Sequence, residues 1–250
     1  MVNIRVGWLA LLLTASAGGA EAVEIKLISA GAVRAVVTGL AESFAKETGH
    51  SVKATFGTMG AVRKTLAEQP TDVVIGNDAV LDDLIKQGAV VGARVDIART
   101  GVGVGVREGT PKPDISTPEA LKQALLDAKS LVYVDPAQGA TSGVHFASVL
   151  QRLGIADAVR SKTILWPGGY AAEAVQKGQA EVVVHQISEI LPVQGVTLVG
   201  PLPGDLQKLT IYAAGVAAKS EAQDAARTFI SYLTRPASKE KFAAAGLDYR

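Results

Sequence analysis

Apolar and polar positions along this chain switch between two periods. Residues 24–30 alternate and are rich in apolar side chains, which predicts a strand. Residues 33–48 then place Val36, Val37, Leu40, Phe44 and Ala45 on one face at helical spacing, with Gly49 as the stop. The unit recurs. Residues 51–56 read as a strand running into Gly57, Thr58, Met59 and Gly60, followed by a helix over 61–68. Residues 72–75 read as the next strand, with a turn through Gly76, Asn77 and Asp78 and a helix over 79–87. Strand then helix, three times over, is the mark of right-handed βαβ units and a parallel sheet.

The pattern breaks over 94–106, where two extended pieces (95–98 and 102–106) are interleaved with Gly101, Gly103 and Gly105 and followed by Pro111 and Pro113. This predicts a strand that crosses out of a first lobe. Ser116-Thr117-Pro118-Glu119 has the form of a capping box and opens a helix to about Ala128. A second lobe then repeats the grammar: strand 130–134, a small-residue loop, helix 144–153, strand 163–165, the turn Pro167-Gly168-Gly169, helix 170–177 and strand 181–184. A short helical segment ends at Pro192. Extended segments at 196–199 and 210–217 follow, the latter passing back to the first lobe, before closing helices over 222–234 and 238–245. The expected class is α/β and two-lobed, each lobe a mostly parallel sheet flanked by helices, joined by crossing hinge strands. Lobe 1 takes 23–100 and 210–250, and lobe 2 takes 101–209.

The first residues stand outside this grammar. Residues 1–5 carry one positive charge, 6–17 are apolar, and Ala20-Glu21-Ala22 is a small-x-small cleavage site, so 1–22 reads as a cleaved secretory signal too short to span a bilayer. An exported chain without stable membrane insertion is expected. At 250 residues and 48% hydrophobic, it is near the size at which one core divides into two. The net charge of +1 makes no case for nucleic acid, so any anion must be recognised locally. Zero Cys excludes disulfides and thiolate chemistry, and His50, His145 and His185 lie too far apart for a metal motif. Neither metal nor cofactor is expected, and a monomer is. No G-x-S-x-G elbow is present for hydroxyl-nucleophile chemistry.

In open α/β sheets ligands sit beyond the carboxyl ends of the strands. Here those ends are small or hydroxyl residues, at 29–32, 57–60, 136–143 and 167–170. The stretch from Val134 to His145, Val-Asp-Pro-Ala-Gln-Gly-Ala-Thr-Ser-Gly-Val-His, reads as strand, loop and helix N-terminus, with backbone N–H groups and the Thr141 and Ser142 hydroxyls available to an anion. Two lobes facing each other would set such loops on opposite walls of one cleft. Each helix dipole contributes roughly 0.3 to 2 kcal/mol toward an anion, so their convergence matters more than any one loop.

Glu-Ile-Lys-Leu-Ile-Ser-Ala-Gly-Ala from Glu24, Glu47-Thr48-Gly49-His50, Phe56-Gly57-Thr58, Pro70-Thr71-Asp72-Val73-Val74-Ile75 and Thr141-Ser142-Gly143, in that order, resemble the type II periplasmic solute-binding proteins, and within them the molybdate-binding branch of ABC importers. The resemblance covers nearly the whole mature chain. It implies the type II fold, a periplasmic location, an ABC permease as partner, and a tetrahedral oxyanion held by hydroxyls and backbone N–H groups, with a Tyr hydroxyl from the second lobe. At the matching positions this chain has Ala32, which cannot donate through its side chain, Thr58 as the remaining hydroxyl of its loop, and His185 and Gln186 near the position of the Tyr.

What the chain adds beside these loops is Arg34 and Arg63, whose guanidinium groups meet carboxylates in a bidentate fork. With Gly31, Ala32, Thr58, Met59, Ala140, Thr141, Ser142, Gly169, Tyr170, His185 and Gln186 they outline a site for a small organic di- or tricarboxylate in preference to a molybdate-type oxyanion. The leading expectation is the solute-binding component of an ABC importer. The sequence is also similar to the cofactor-independent periplasmic aconitate isomerases, which implies an alternative: a proton shift between trans- and cis-aconitate, with His185 and His145 as candidate general bases.

Overall fold

The computed structural model describes residues 22–248, so the expected signal over 1–22 lies outside the described residues but for its last position. The chain runs β1 (Glu24–Ala30), α1 (Arg34–Thr48), β2 (Ser51–Gly57), α2 (Met59–Glu68), β3 (Val73–Asn77), α3 (Asp78–Lys86) and β4 (Val90–Thr100). It continues through β5 (Val102–Arg107), α4 (Pro118–Asp127), β6 (Leu131–Val134), α5 (Thr141–Arg152), α6 (Ala156–Arg160), β7 (Thr163–Trp166), α7 (Ala172–Gln176), β8 (Val182–Gln186), α8 (Ile187–Ile190) and β9 (Val196–Pro201). It closes with β10 (Thr210–Ala217), α9 (Gln223–Thr234) and α10 (Pro236–Ala244).

Two five-stranded sheets result, in the orders β2-β1-β3-β10-β4 and β7-β6-β8-β5-β9. Four strands of each run in one direction, and β10 and β5 run against them. The reason is connectivity. The parallel strands end at the cleft, whereas β5 and β10 each enter their sheet from the other lobe and must run away from it. β4 passes into β5 at Gly101, and β9 returns to β10 through residues 202–209. Gln207 joins these two crossings: its Oε1 accepts from the Val102 N–H and its Nε2 donates to the Val102 carbonyl, both at 2.9 Å.

Helices on both faces bury the parallel strands on both sides, which is why β3, β6 and β8 are nearly continuous apolar runs. α1 buries Val36, Val37, Leu40 and Phe44 as its spacing predicts, with Ala41 buried beside them and Ala45 half-buried. Two details depart from the sequence pattern. Thr117, not Ser116, caps α4, accepting from the Ala120 N–H at 3.1 Å, so Glu119 stands one place too early for a capping box. The short helix α6 packs Val159 into the second core although it carries no extended periodic pattern.

The ring of Phe44 meets Phe229 and Tyr232 edge-on at 5.1 and 5.2 Å, joining α1 to α9. At the end of α1, Glu47 receives a bidentate pair from Arg235 (2.7 and 2.9 Å) and the Tyr232 hydroxyl (2.6 Å). The Arg235 hydrogen bonds, then that of Tyr232, hold the Glu47 carboxyl down at about 2, from an ordinary 4.5. A depressed folded-state value stabilises above the unfolded value and is lost as pH falls through the folded one. Glu47→Gln is therefore expected to lower the melting temperature at about pH 6 and to converge on the parent by about pH 2. Melting curves over that range check it.

Candidate functional site

The carboxyl ends of both sets of parallel strands face one cleft of about 420 Å³, counting the space at its mouth. The lobes meet across it at several points. Asn77 caps α3 through Oδ1 on the Val80 N–H (2.9 Å), and its Nδ2 donates to Thr141 Oγ1 on the far wall at 3.2 Å. Gln186 Nε2 of β8 donates to the Tyr212 hydroxyl of β10 at 3.1 Å. Gly60 of α2 packs so closely on the Gln138 carbonyl that a Cβ there would come within 2.8 Å of the oxygen. This is a closed arrangement.

Arg34 is the first residue of α1, delivered by the single 3-10 turn Gly31–Val33. Its guanidinium carbon lies 5.2 Å from the Phe56 ring centroid on its own lobe and 5.6 Å from that of Tyr170 on the other. These two faces hold the cation by their quadrupoles. Its Nε is buried and has no hydrogen-bond partner among the described residues. A buried unpaired donor is costly, and a ligand acceptor in the cleft would relieve it.

Two helix N-termini open on the same space. Thr58 caps α2, its Oγ1 accepting from the Ala61 N–H at 3.2 Å. α5 starts at Thr141 behind Ala140, which provides no side-chain cap, so its first-turn amides are left for another acceptor. Thr141 and Ser142 are thus the first helical residues rather than the last of the loop.

His185 and Gln186 end β8 and are buried. A carbonyl only accepts, so the contact of His185 Nε2 with Gly169 O at 3.2 Å assigns the proton to Nε2. Nδ1 lies 2.8 Å from the Gln186 N–H and 3.1 Å from Glu189 Oε2. With a neutral imidazole, Nδ1 accepts from the amide; with a charged one, it presents a proton to the carboxylate. Glu189 is itself 6% exposed and lines the cleft, and the Gln186 Oε1 there is buried without a partner among the described residues.

Of the expected site residues, Gly31, Ala32, Arg34, Thr58, Met59, Ala140, Thr141, Ser142, Gly169, His185 and Gln186 line this cleft, and Tyr170 reaches it through its stack on Arg34. Two expectations are corrected. Arg63 does not line the cleft. It lies one turn along α2 from Met59, and Asp83 of α3 pairs with its guanidinium at 2.9 Å on the outer face. His145 does not line it either. Its Nε2 is 2.8 Å from the Leu206 carbonyl, where it ties α5 to the returning crossing, and burial lowers its pKa. The sequence reading missed Glu189, Tyr212 and Asn77. A carboxylate four residues beyond a strand-end histidine was the available sign for Glu189, while Tyr212 sits in an ordinary apolar strand.

Among the described residues no group of three or more His, Cys, Asp or Glu is placed to hold a metal ion, and no helix is long and apolar enough to cross a membrane. Residues 25–248 match the family described as bacterial extracellular solute-binding protein. The sequence is 31% identical to an aconitate isomerase from a Pseudomonas species, over 98% of this chain and 95% of that protein. It is 27% identical to the molybdate-binding protein ModA of Azotobacter vinelandii, over 91% of this chain and 90% of that protein. The solved periplasmic molybdate-binding protein of Azotobacter vinelandii superposes with a TM-score of 0.76 at 20% identity, covering 90% of this chain and 99% of the other.

Proposed function

Since the chain belongs to the bacterial extracellular solute-binding proteins and has their two-lobed type II periplasmic fold, we propose that it closes on a small organic di- or tricarboxylate and isomerises it by an aconitate-type proton shift. The observation that carries this is the buried His185–Glu189 couple on the wall of the cleft that also holds Arg34. A site that only bound an anion would gain nothing from a buried carboxylate. Two like charges about 4 Å apart cost about 4 kcal/mol at an effective dielectric near 20. An acid–base reaction on carbon, by contrast, needs a proton acceptor beside the substrate.

The other parts have matching tasks. Arg34 takes one carboxylate in a bidentate fork, and the first-turn amides of α2 and α5 take others and oppose the charge that develops on the enolate. Removal of bulk water as the lobes meet strengthens each of these contacts. The 31% identical relative named as an aconitate isomerase supports the reading. A second reading, the solute-binding component of an ABC importer for the same ligand class, rests on the family and on closure itself, which alters the outer surface a permease would meet. Both readings place the mature chain in the periplasm after removal of 1–22.

Incubation of the mature protein with trans-aconitate, followed by chromatography for the cis isomer, tests the proposal. Turnover is expected. A tight aconitate complex without turnover moves the conclusion to the importer reading. A thermal-shift panel of molybdate, tungstate, sulfate, citrate and both aconitates checks the ligand class. At a hundredfold excess over Kd a ligand adds about 2.7 kcal/mol. For a chain of this size that is a rise of roughly 5 to 10 °C, expected with the tricarboxylates. A rise with molybdate alone would overturn the assignment.

A further inference from the structure

Resting on the isomerase reading, the geometry points to Glu189, not to an imidazole, as the group that takes the proton from carbon and returns it, with His185 as its positioning residue. Both nitrogens of His185 are engaged: Nε2 donates to the Gly169 carbonyl, and Nδ1 accepts from the Gln186 amide, with Glu189 Oε2 3.1 Å away. Neither is left to approach a substrate C–H. The carboxylate of Glu189, by contrast, uses only Oε2 on the imidazole. Its Oε1 reaches across to the opposite lobe and stands over Gly31, where a Cβ would come within 2.8 Å of it. Gly31 opens the turn that delivers Arg34, so this oxygen sits against the loop that would bind a substrate carboxylate. Among the described residues no ion pair joins Glu189 to Arg34, so the cation remains for the ligand.

The step balances within the site. A C–H bond of the substrate methylene breaks, its electron pair spreads through the allylic system onto the adjoining carboxylates, and the proton passes to Glu189. The pair then returns to form a C–H bond at the other end of the allyl unit with the proton from Glu189, and the double bond moves one position. His185 packs against Oε2, 3.1 Å from Nδ1, and limits the positions open to the carboxylate; when Nδ1 carries a proton it donates to Oε2 in place of accepting from the Gln186 amide.

Glu189→Gln keeps the shape of the side chain and removes the base. We expect kcat on trans-aconitate to fall about 10²- to 10⁴-fold. Calorimetric affinity for the tricarboxylate is expected to stay equal or become tighter, because a negative charge has left the wall. His185→Asn, which can still offer an N–H to Glu189, is expected to lower kcat far less than His185→Ala, with KM nearly constant in both and the pH profile of kcat displaced. If Glu189→Gln keeps a tenth or more of kcat while His185→Asn and His185→Ala are equally dead, the assignment is overturned and the isomerase reading stands. If the parent protein turns over neither aconitate, the isomerase reading falls and takes the assignment with it.

Discussion

Arg34→Ala should weaken tricarboxylate binding about 10²-fold by calorimetry, while the ligand-free protein melts within a few degrees of the parent. The guanidinium lies between Phe56 and Tyr170, and its buried Nε has no partner among the described residues. Among the described residues no ion pair is lost on removing it, so folding loses stacking on two rings and gains relief from an unpaired donor. Binding loses its charged fork. Hydrogen bonds to charged groups contribute about 1.5 to 3 kcal/mol each, and a factor near 10² corresponds to one or two of them. Arg34→Lys is expected to recover part of the loss, since charge remains without the planar fork. Arg63→Ala is the control: its side chain is held by Asp83 outside the cleft, and affinity should change less than threefold. Equal losses at both positions would show that the effect is long-range charge rather than the cleft contact.

Gly60→Ala is expected to weaken the same ligand roughly 5- to 150-fold while keeping every amide and side chain assigned to it. The added Cβ would lie 2.8 Å from the backbone oxygen of Gln138, an atom of the opposite lobe that cannot move independently of its turn. Gly139, which follows it at φ 66°, already packs against the Gly60 backbone. Overpacking costs about 1 to 3 kcal/mol, and here the cost falls only on the closed form. In the open form alanine is the better residue for the interior of α2 by up to about 1 kcal/mol. The variant should therefore melt at the same or a higher temperature without ligand yet close poorly with it. Small-angle scattering of the saturated variant should give a larger radius of gyration than the parent. An unchanged Kd and an unchanged radius would remove Gly60 from the closing surface.

Much of this architecture was legible along the chain because it depends on neighbours within a few residues. The alternation of Glu24–Ala30, the one-sided spacing of Val36, Val37, Leu40 and Phe44, and the glycine stop at Gly49 each have a local cause. The small-residue loops at 57–60 and 136–143 were legible for the same reason. Side chains small enough to let a strand turn into a helix also leave its first amides open to a ligand.

The choice of groups within the cleft was settled elsewhere. Arg34 and Arg63 hold equivalent places in the sequence pattern, each near the start of a helix. A flanking ring from each lobe draws one inward, and a carboxylate on α3 draws the other out. Glu189 becomes part of a couple because the short helix after β8 folds it back onto His185, and its free oxygen gains meaning from Gly31, far away in sequence. Periodicity follows from backbone geometry and the burial of one face, which operate within a turn or a strand. The meeting of a cation, a carboxylate and two helix ends follows from closure of two separately folded lobes, and no local pattern encodes that distance.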